Sequence, residues 1–109
     1  PGCGGVAVVD RKGGPRTVGV AVEDDAMYTG APETYRPDSL IFVDPDQRLQ
    51  IQPGERVIAL LRDGRTIVFR QLGKRGDDDV LEALNPGYPP IVRPFGVLGK
   101  VVSRLLAAP

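Results

Sequence analysis

The sequence predicts an all-β domain, a small coiled β-barrel or sandwich of about seven short strands. Its apolar segments are short and rich in Val, Ile and Leu, which favours strands. Its 14 glycines and 11 prolines are spread along the chain and separate these segments with turns. A chain of 109 residues is long enough for one modest hydrophobic core but not for two. Helix is limited to a turn or two within 29–36.

The strands can be placed in order from the apolar segments and the turn signals between them. They are predicted over 5–9, 17–22, 39–44, 56–62, 66–72, 79–84 and 97–106. Asp63-Gly64 lies between two apolar segments and is the strongest hairpin signal. Gly54 follows a proline at the position of a type II turn that needs a positive φ. Adjacent β-branched valines favour strand over helix for 97–103.

Charge and composition limit the classes of function. Fourteen basic and fourteen acidic residues cancel, so the domain is not expected to bind nucleic acid by itself. No apolar run approaches the ~20 residues of a membrane-spanning helix, and no signal peptide pattern is present. Cys3 is the single cysteine and cannot form an internal disulfide, which favours the cytoplasm. The absence of histidine removes Ser-His and Cys-His catalysis and most zinc sites.

The acidic clusters are read as polar surface rather than as metal sites. The three consecutive carboxylates of 77–79 do not share a face, so a solvated turn is favoured. The acidic residues of 23–25 are read as the polar end of a strand. We therefore expect no metal and no cofactor.

Serine nucleophiles are scarce. Ser39 follows a Pro-Asp turn that its hydroxyl would close, and Ser103 lies in the last apolar segment. A Ser-Lys dyad would need one of three lysines: Lys12, Lys74 and Lys100. Nothing in the spacing pairs any of them with a serine. From the residues alone, the chain is a small β domain without an evident catalytic constellation.

Six segments, taken in order, resemble the C-terminal domain of LexA-type and lambda-type phage repressors, the self-cleaving family that includes UmuD. The segments are 22-VEDDAM-27, 37-PDSLIFVDP-45, 53-PGERVIALLRDG-64, 66-TIVFRQL-72, 81-LEALNPGYPPI-91 and 97-VLGKVV-102. The Leu-Asn-Pro-x-Tyr-Pro element is specific, whereas the other segments gain weight from their shared order and spacing. The resemblance covers roughly 17–103 and implies a LexA-like C-terminal-domain fold.

The resemblance also implies a degenerate active site. Family members cut their own linker with a serine nucleophile and a neutral lysine base. The serine position falls on Ala26 and the lysine position on Arg70, while Asp25, Met27 and Phe69 belong to the implied cleft. Alanine has no hydroxyl, and arginine is not deprotonated in proteins. The chain is therefore predicted to be a pseudo-peptidase rather than an enzyme.

A shifted alignment does not restore the dyad, because 24–28 contain no Ser or Cys and 66–72 contain no Lys. Cys3-Gly4 resembles the family's cleavage dipeptide, but its spacing to Ala26 is shorter than in the family. An ordinary N-terminal segment is therefore favoured over a relic cleavage site. Loss of both dyad residues is more typical of natural divergence than of engineering, although the sequence leaves both origins open.

The resemblance further implies self-association. In the family this domain dimerises, and sometimes tetramerises, so that paired helix-turn-helix domains bind two operator half-sites. We expect 1–16 to be an N-terminal segment or linker remnant and 17–109 to be the oligomerisation domain. The chain begins at Pro1 rather than Met, so a DNA-binding domain is expected upstream. Induction is expected by something other than self-cleavage, such as an antirepressor protein. The implied self-association residues on the last strand are Val101, Val102, Arg104 and Leu105.

Two other functions remain open from the sequence. One is an active peptidase with an unrecognised dyad of Ser39 or Ser103 with Lys100. The other is a peptide-binding module, in which the cleft around Ala26 and Arg70 holds a linker or partner strand. In that module Arg70 would pair with Asp24, Asp25 or a partner's carboxylate.

Overall fold

The computed structural model describes residues 14–105, which form one seven-stranded antiparallel sheet in the order β1-β2-β7-β3-β4-β5-β6. The predicted all-β class is confirmed. The predicted strand at 5–9 and the Cys3-Gly4 dipeptide lie outside the described residues. The strands are β1 Val18–Ala21, β2 Leu40–Asp44, β3 Arg56–Leu61, β4 Ile67–Arg75, β5 Asp78–Glu82, β6 Ile91–Val92 and β7 Phe95–Leu105, and a 3₁₀ turn spans Pro45–Gln47.

The sheet curls into a half-barrel because strands that are not neighbours share one core. Ile41 of β2 and Phe69 of β4 lie three places apart in the sheet, yet they belong to one buried cluster. The connection between β1 and β2 closes over this first cluster with Met27 and Tyr35. Burial of these apolar side chains is the main force holding the curl.

A second buried cluster fills the opposite face of the sheet. Val57 belongs to the second cluster and Ile58 to the first, as expected for neighbouring residues on one strand. The second cluster consists of Val57, Ala59, Val68, Leu72, Leu81 and Phe95. Burial on both faces explains why β3 reads as a continuous apolar run from Val57 to Leu61.

Strand β7 joins the two halves of the sheet by changing its partner. Its first half pairs with β3, ending at the Val57–Lys100 pair. Its second half pairs with β2, from Asp44–Lys100 to Leu40–Leu105. The strand predicted for 97–103 is thereby confirmed.

Both predicted glycine turns are confirmed. Gly64 has φ 72° in the β3–β4 hairpin, and Gly54 has φ 95° in the turn before β3. In the hairpin, the Asp63 carboxylate accepts bonds from the backbone N–H groups of Arg65 and Thr66, each at 2.8 Å. No helix of the described chain is long and apolar enough to cross a membrane.

Candidate functional site

The turn that follows β1 holds Ala26 in a fully buried position. Its N–H donates to the Asp24 carboxylate at 3.1 Å, and its carbonyl accepts from the backbone N–H of Asn85 at 2.9 Å. The carbonyl of Met27, also fully buried, accepts from the N–H of Tyr35 at 2.7 Å. The turn is thus fixed on both sides, with a methyl group at its centre.

The segment after β5 clamps this turn through two side chains that the sequence did not single out. The Asn85 amide donates to the carbonyl of Asp25 at 3.1 Å, and the Tyr88 hydroxyl donates to the Asp25 carboxylate at 2.5 Å. Both lie in the Leu-Asn-Pro-x-Tyr-Pro element, whose specificity was the available signal. That element therefore acts as a brace for the turn around Ala26.

Arg70 of β4 is charged and buried, with only 6% of its surface exposed. One guanidinium nitrogen donates to the carbonyl of Phe69 at 2.9 Å, and the guanidinium lies 5.4 Å from the centre of the Tyr88 ring. Its Nε is buried without an acceptor among residues 14–105. Within the same range, no carboxylate forms an ion pair with Arg70.

Tyr88 brings Ala26 and Arg70 into one neighbourhood, since its hydroxyl reaches the turn around Ala26 and its ring faces Arg70. The hydrogen bond to the Asp25 carboxylate raises the pKa of Tyr88, and the charge of Arg70 opposes that rise. In the described structure, the carboxylates of Asp24 and Asp25 accept from Ala26 and Tyr88 rather than from Arg70.

The cleft beside the turn is a groove of about 230 Å³ between β1 and β4. Val20, Ile41, Ile58 and Phe69 contribute to its walls, and Asp24 contributes a carboxylate at its margin. The implied cleft residues differ in accessibility: Asp25 is exposed, whereas Met27 and Phe69 are buried. The groove can hold an extended apolar segment.

Of the alternative dyad residues, Ser39 and Lys100 are engaged in structural contacts. The Ser39 hydroxyl donates to the carbonyl of Arg36 at 2.6 Å and closes the turn before β2, as predicted. Lys100 pairs with Glu55 at 2.8 Å, and this bond holds the pKa of Glu55 below its usual value. Among residues 14–105, no hydrogen bond joins Ser39 or Ser103 to a lysine.

The acidic residues of 77–79 belong to the hairpin between β4 and β5. Asp79 forms ion pairs with Lys74 at 3.0 Å and with Arg93 at 2.6 Å. In the part of the chain that the structure describes, no group of three or more side chains is placed to bind a metal ion.

The implied self-association residues occupy unequal positions on β7. Val101 packs against the first core cluster, and Val102 is half-buried. The Arg104 guanidinium donates to the carbonyls of Thr34 at 2.7 Å and Pro32 at 2.9 Å. Leu105 is 52% exposed at the end of the strand.

Comparison with known proteins identifies the family. A family model described as Peptidase S24-like matches residues 6–102. The prophage repressor CohE of Escherichia coli (strain K12) is 36% identical over 74 residues, which are 64% of this chain and 32% of that protein. The chain thus spans about a third of the relative's length. The resemblance to the C-terminal domain of LexA-type and phage repressors is confirmed, and the chain belongs to the Peptidase S24-like family.

Proposed function

We propose that the chain is the C-terminal oligomerisation domain of a phage-type repressor that does not cleave itself. It would act in the cytoplasm and bind operator DNA only through an N-terminal helix-turn-helix domain. The observation that carries the proposal is that Ala26 and Arg70 are both buried and both lie close to Tyr88. The family's chemistry needs a hydroxyl and a neutral amine at these positions.

The hydrogen bonds around Ala26 support a fold that is retained without the family's self-cleavage reaction. The Ala26 N–H donates to Asp24 and the Ala26 carbonyl accepts from Asn85, so the turn keeps its shape although its central side chain is only a methyl group. Arginine side chains stay protonated in proteins, so Arg70 cannot remove a proton from a nucleophile.

The free edge of β7 supports self-association. Beyond Lys100 the strand pairs with β2 on one side, and on the other side no strand among residues 14–105 pairs with it. An unpaired strand edge offers N–H and C=O groups to another chain. Leu105, exposed at this edge, adds apolar surface. A second copy adding its own β7 would extend the sheet across a two-fold axis.

The net charge of zero supports an indirect role in DNA binding. A domain without surplus positive charge gains little from phosphate contacts. It contributes instead by linking two DNA-binding domains, which raises the effective concentration of the second at its half-site.

A fusion experiment tests the proposal. The chain is joined to a helix-turn-helix domain that represses a reporter gene only as a dimer. We expect repression by the fusion, loss of repression with Leu105→Lys at the β7 edge, and normal repression with Leu49→Lys. Leu49 is 87% exposed on the connection before β3 and therefore controls for the added charge. Equal repression by both variants would contradict a role for the β7 edge.

A further inference from the structure

A groove of about 570 Å³ opens where β3 and β7 separate. The pairing of these strands ends at Val57 and Lys100. The residues before Val57 turn toward β4 instead, and the carbonyl of Glu55 accepts from the N–H of Leu72 at 2.8 Å. Residues 101–104 of β7 all line the groove. Because successive side chains of a strand point to opposite faces, this lining places the backbone edge of β7 in the wall.

The groove carries more positive than negative charge. Its charged side chains are Arg56, Lys100, Arg104 and Glu55. Lys100 and Glu55 form an ion pair with each other at 2.8 Å. Neither arginine forms an ion pair with any carboxylate among residues 14–105. Two guanidinium groups therefore remain without a counter-charge.

Both guanidinium groups lie against one aromatic ring. The guanidinium carbon of Arg104 is 4.7 Å from the centre of the Tyr35 ring, and that of Arg56 is 5.9 Å from it. Tyr35 is buried in the first core cluster and gives the pair a rigid base. A carboxylate that enters the groove would meet both cations within a small region.

Arg56 also has unused hydrogen-bonding capacity. Its Nε is buried without an acceptor among the described residues, and its terminal nitrogen reaches the carbonyl of Gly54 only at 3.4 Å. Arg104, by contrast, is held by the carbonyls of Pro32 and Thr34. The terminal nitrogens of Arg56, one of which makes only the long bond to Gly54, can therefore donate to an incoming oxygen acceptor.

We propose that this groove binds an extended acidic segment of a partner protein, which adds as a strand to the free edge of β7. Main-chain hydrogen bonds would give affinity, and carboxylates facing Arg56 and Arg104 would give specificity. A second copy of the chain presents the same two guanidinium groups, so it matches the charge of the groove less well than an acidic segment does.

The inference rests on the proposed function in one respect, namely that the same edge of β7 mediates self-association. An acidic segment bound there displaces the second copy and separates the paired DNA-binding domains. The groove is thus a place where a partner protein switches the repressor off.

Fluorescence anisotropy with a labelled peptide tests the site. The probe alternates Glu and Val over about eight residues, a typical strand length. Its control replaces every Glu with Gln. We expect the Glu peptide to bind the full chain at least about tenfold more tightly than the Gln peptide, with affinity falling as salt is added. Equal affinity for the two peptides would overturn the proposal.

Two matched variants locate the binding. Arg56→Gln removes one groove cation, whereas Arg62→Gln removes the same charge from an exposed position in the turn directly after β3. We expect about a tenfold loss of Glu-peptide affinity for Arg56→Gln and less than about a twofold change for Arg62→Gln. Unchanged affinity of Arg56→Gln, with its circular dichroism spectrum intact, would place the peptide elsewhere and overturn the proposal.

Sedimentation velocity separates this inference from the proposed function. Without peptide, sedimentation velocity reports dimerisation alone. A monomer that still binds the Glu peptide through Arg56 would contradict the proposed oligomerisation but support the groove as a peptide site. A dimer that does not bind the peptide would support oligomerisation but contradict the peptide site. Peptide bound to an intact dimer would overturn strand addition at the β7 edge.

Discussion

Tyr88 connects the two residues on which the account depends. Its ring faces the Arg70 guanidinium and its hydroxyl binds Asp25, the residue before Ala26. A side chain that contacts Arg70 and the residue before Ala26 fixes where these two positions lie relative to each other.

Serine placed at position 26 tests whether the lost hydroxyl is the only defect. We expect Ala26→Ser to stay intact at about pH 10, where family-type lysine bases are neutral, because Arg70 stays protonated. The measurement is the intact mass of the chain over days. The comparison is the double variant Ala26→Ser with Arg70→Lys, which carries both a serine hydroxyl and a lysine amine. A new N-terminus in the single variant would show that another base serves the site.

The Tyr88–Asp25 bond predicts a pH dependence. The bond favours the neutral phenol, so the pKa of Tyr88 lies above its ordinary value of 10.0 in the folded chain. The stability that this group contributes is fully present below pH 10.0 and is lost as pH rises through the folded pKa. We expect Asp25→Asn to lower the pKa of Tyr88, measured by NMR of the ring carbon that bears the hydroxyl. An unchanged titration would remove Asp25 as the cause.

Sequence reasoning located Ala26 and Arg70 but not their surroundings. The positions follow from short motifs in order. Burial of Arg70 and the brace by Asn85 and Tyr88 depend on contacts across some sixty residues of chain, which no local pattern encodes. Within the described residues Arg70 forms no ion pair with Asp24 or Asp25, whose carboxylates accept from Ala26 and Tyr88. Pairing of Arg70 with a partner's carboxylate stays a prediction.

Among the elements, β7 is the strand on which the sheet depends, because it pairs with β3 and then with β2. Gly99 lies next to the exchange at Lys100. A Cβ there would come within 2.5 Å of a Val43 methyl and 3.2 Å of the Asp44 carbonyl. The close approach of β2 at this point therefore requires glycine.

Gly99 and Gly96 form a matched pair on one strand. Gly99→Ala should destabilise the fold by about 1–3 kcal/mol, because the added methyl forces β2 away. Gly96→Ala should have little effect, since nothing lies within 4 Å of its added Cβ. Urea denaturation of both variants measures the difference. Equal stability would show that β2 relaxes without cost.

The strands were predicted well where an apolar run is bounded by turn residues. They were predicted poorly where the strand residues are charged or the strand is very short. Residues 73–78 read as a loop, yet β4 runs to Arg75 and β5 starts at Asp78. The pairing of Lys74 with Asp79 and a positive φ at Gly76 make that stretch a tight hairpin. Strand β6, Ile91–Val92, escaped prediction because it is too short for a pattern and forms by pairing with β5.

For the whole molecule, the same sheet closes a half-barrel at one place and leaves an edge open at another. The β1–β4 groove lies beside the turn that holds Ala26, whereas the groove along β7 lies beside an unpaired strand edge. The second groove is where we place the partners of the chain.

Sedimentation equilibrium of the isolated chain, from low micromolar to about 200 µM, tests the central claim most directly. We expect a reversible monomer–dimer equilibrium, a shift toward monomer with Leu105→Lys, and no shift with Leu49→Lys. Leu105 and Leu49 are both exposed, and only Leu105 lies on β7. A chain that stays strictly monomeric at the highest concentration would contradict the account of an oligomerisation domain.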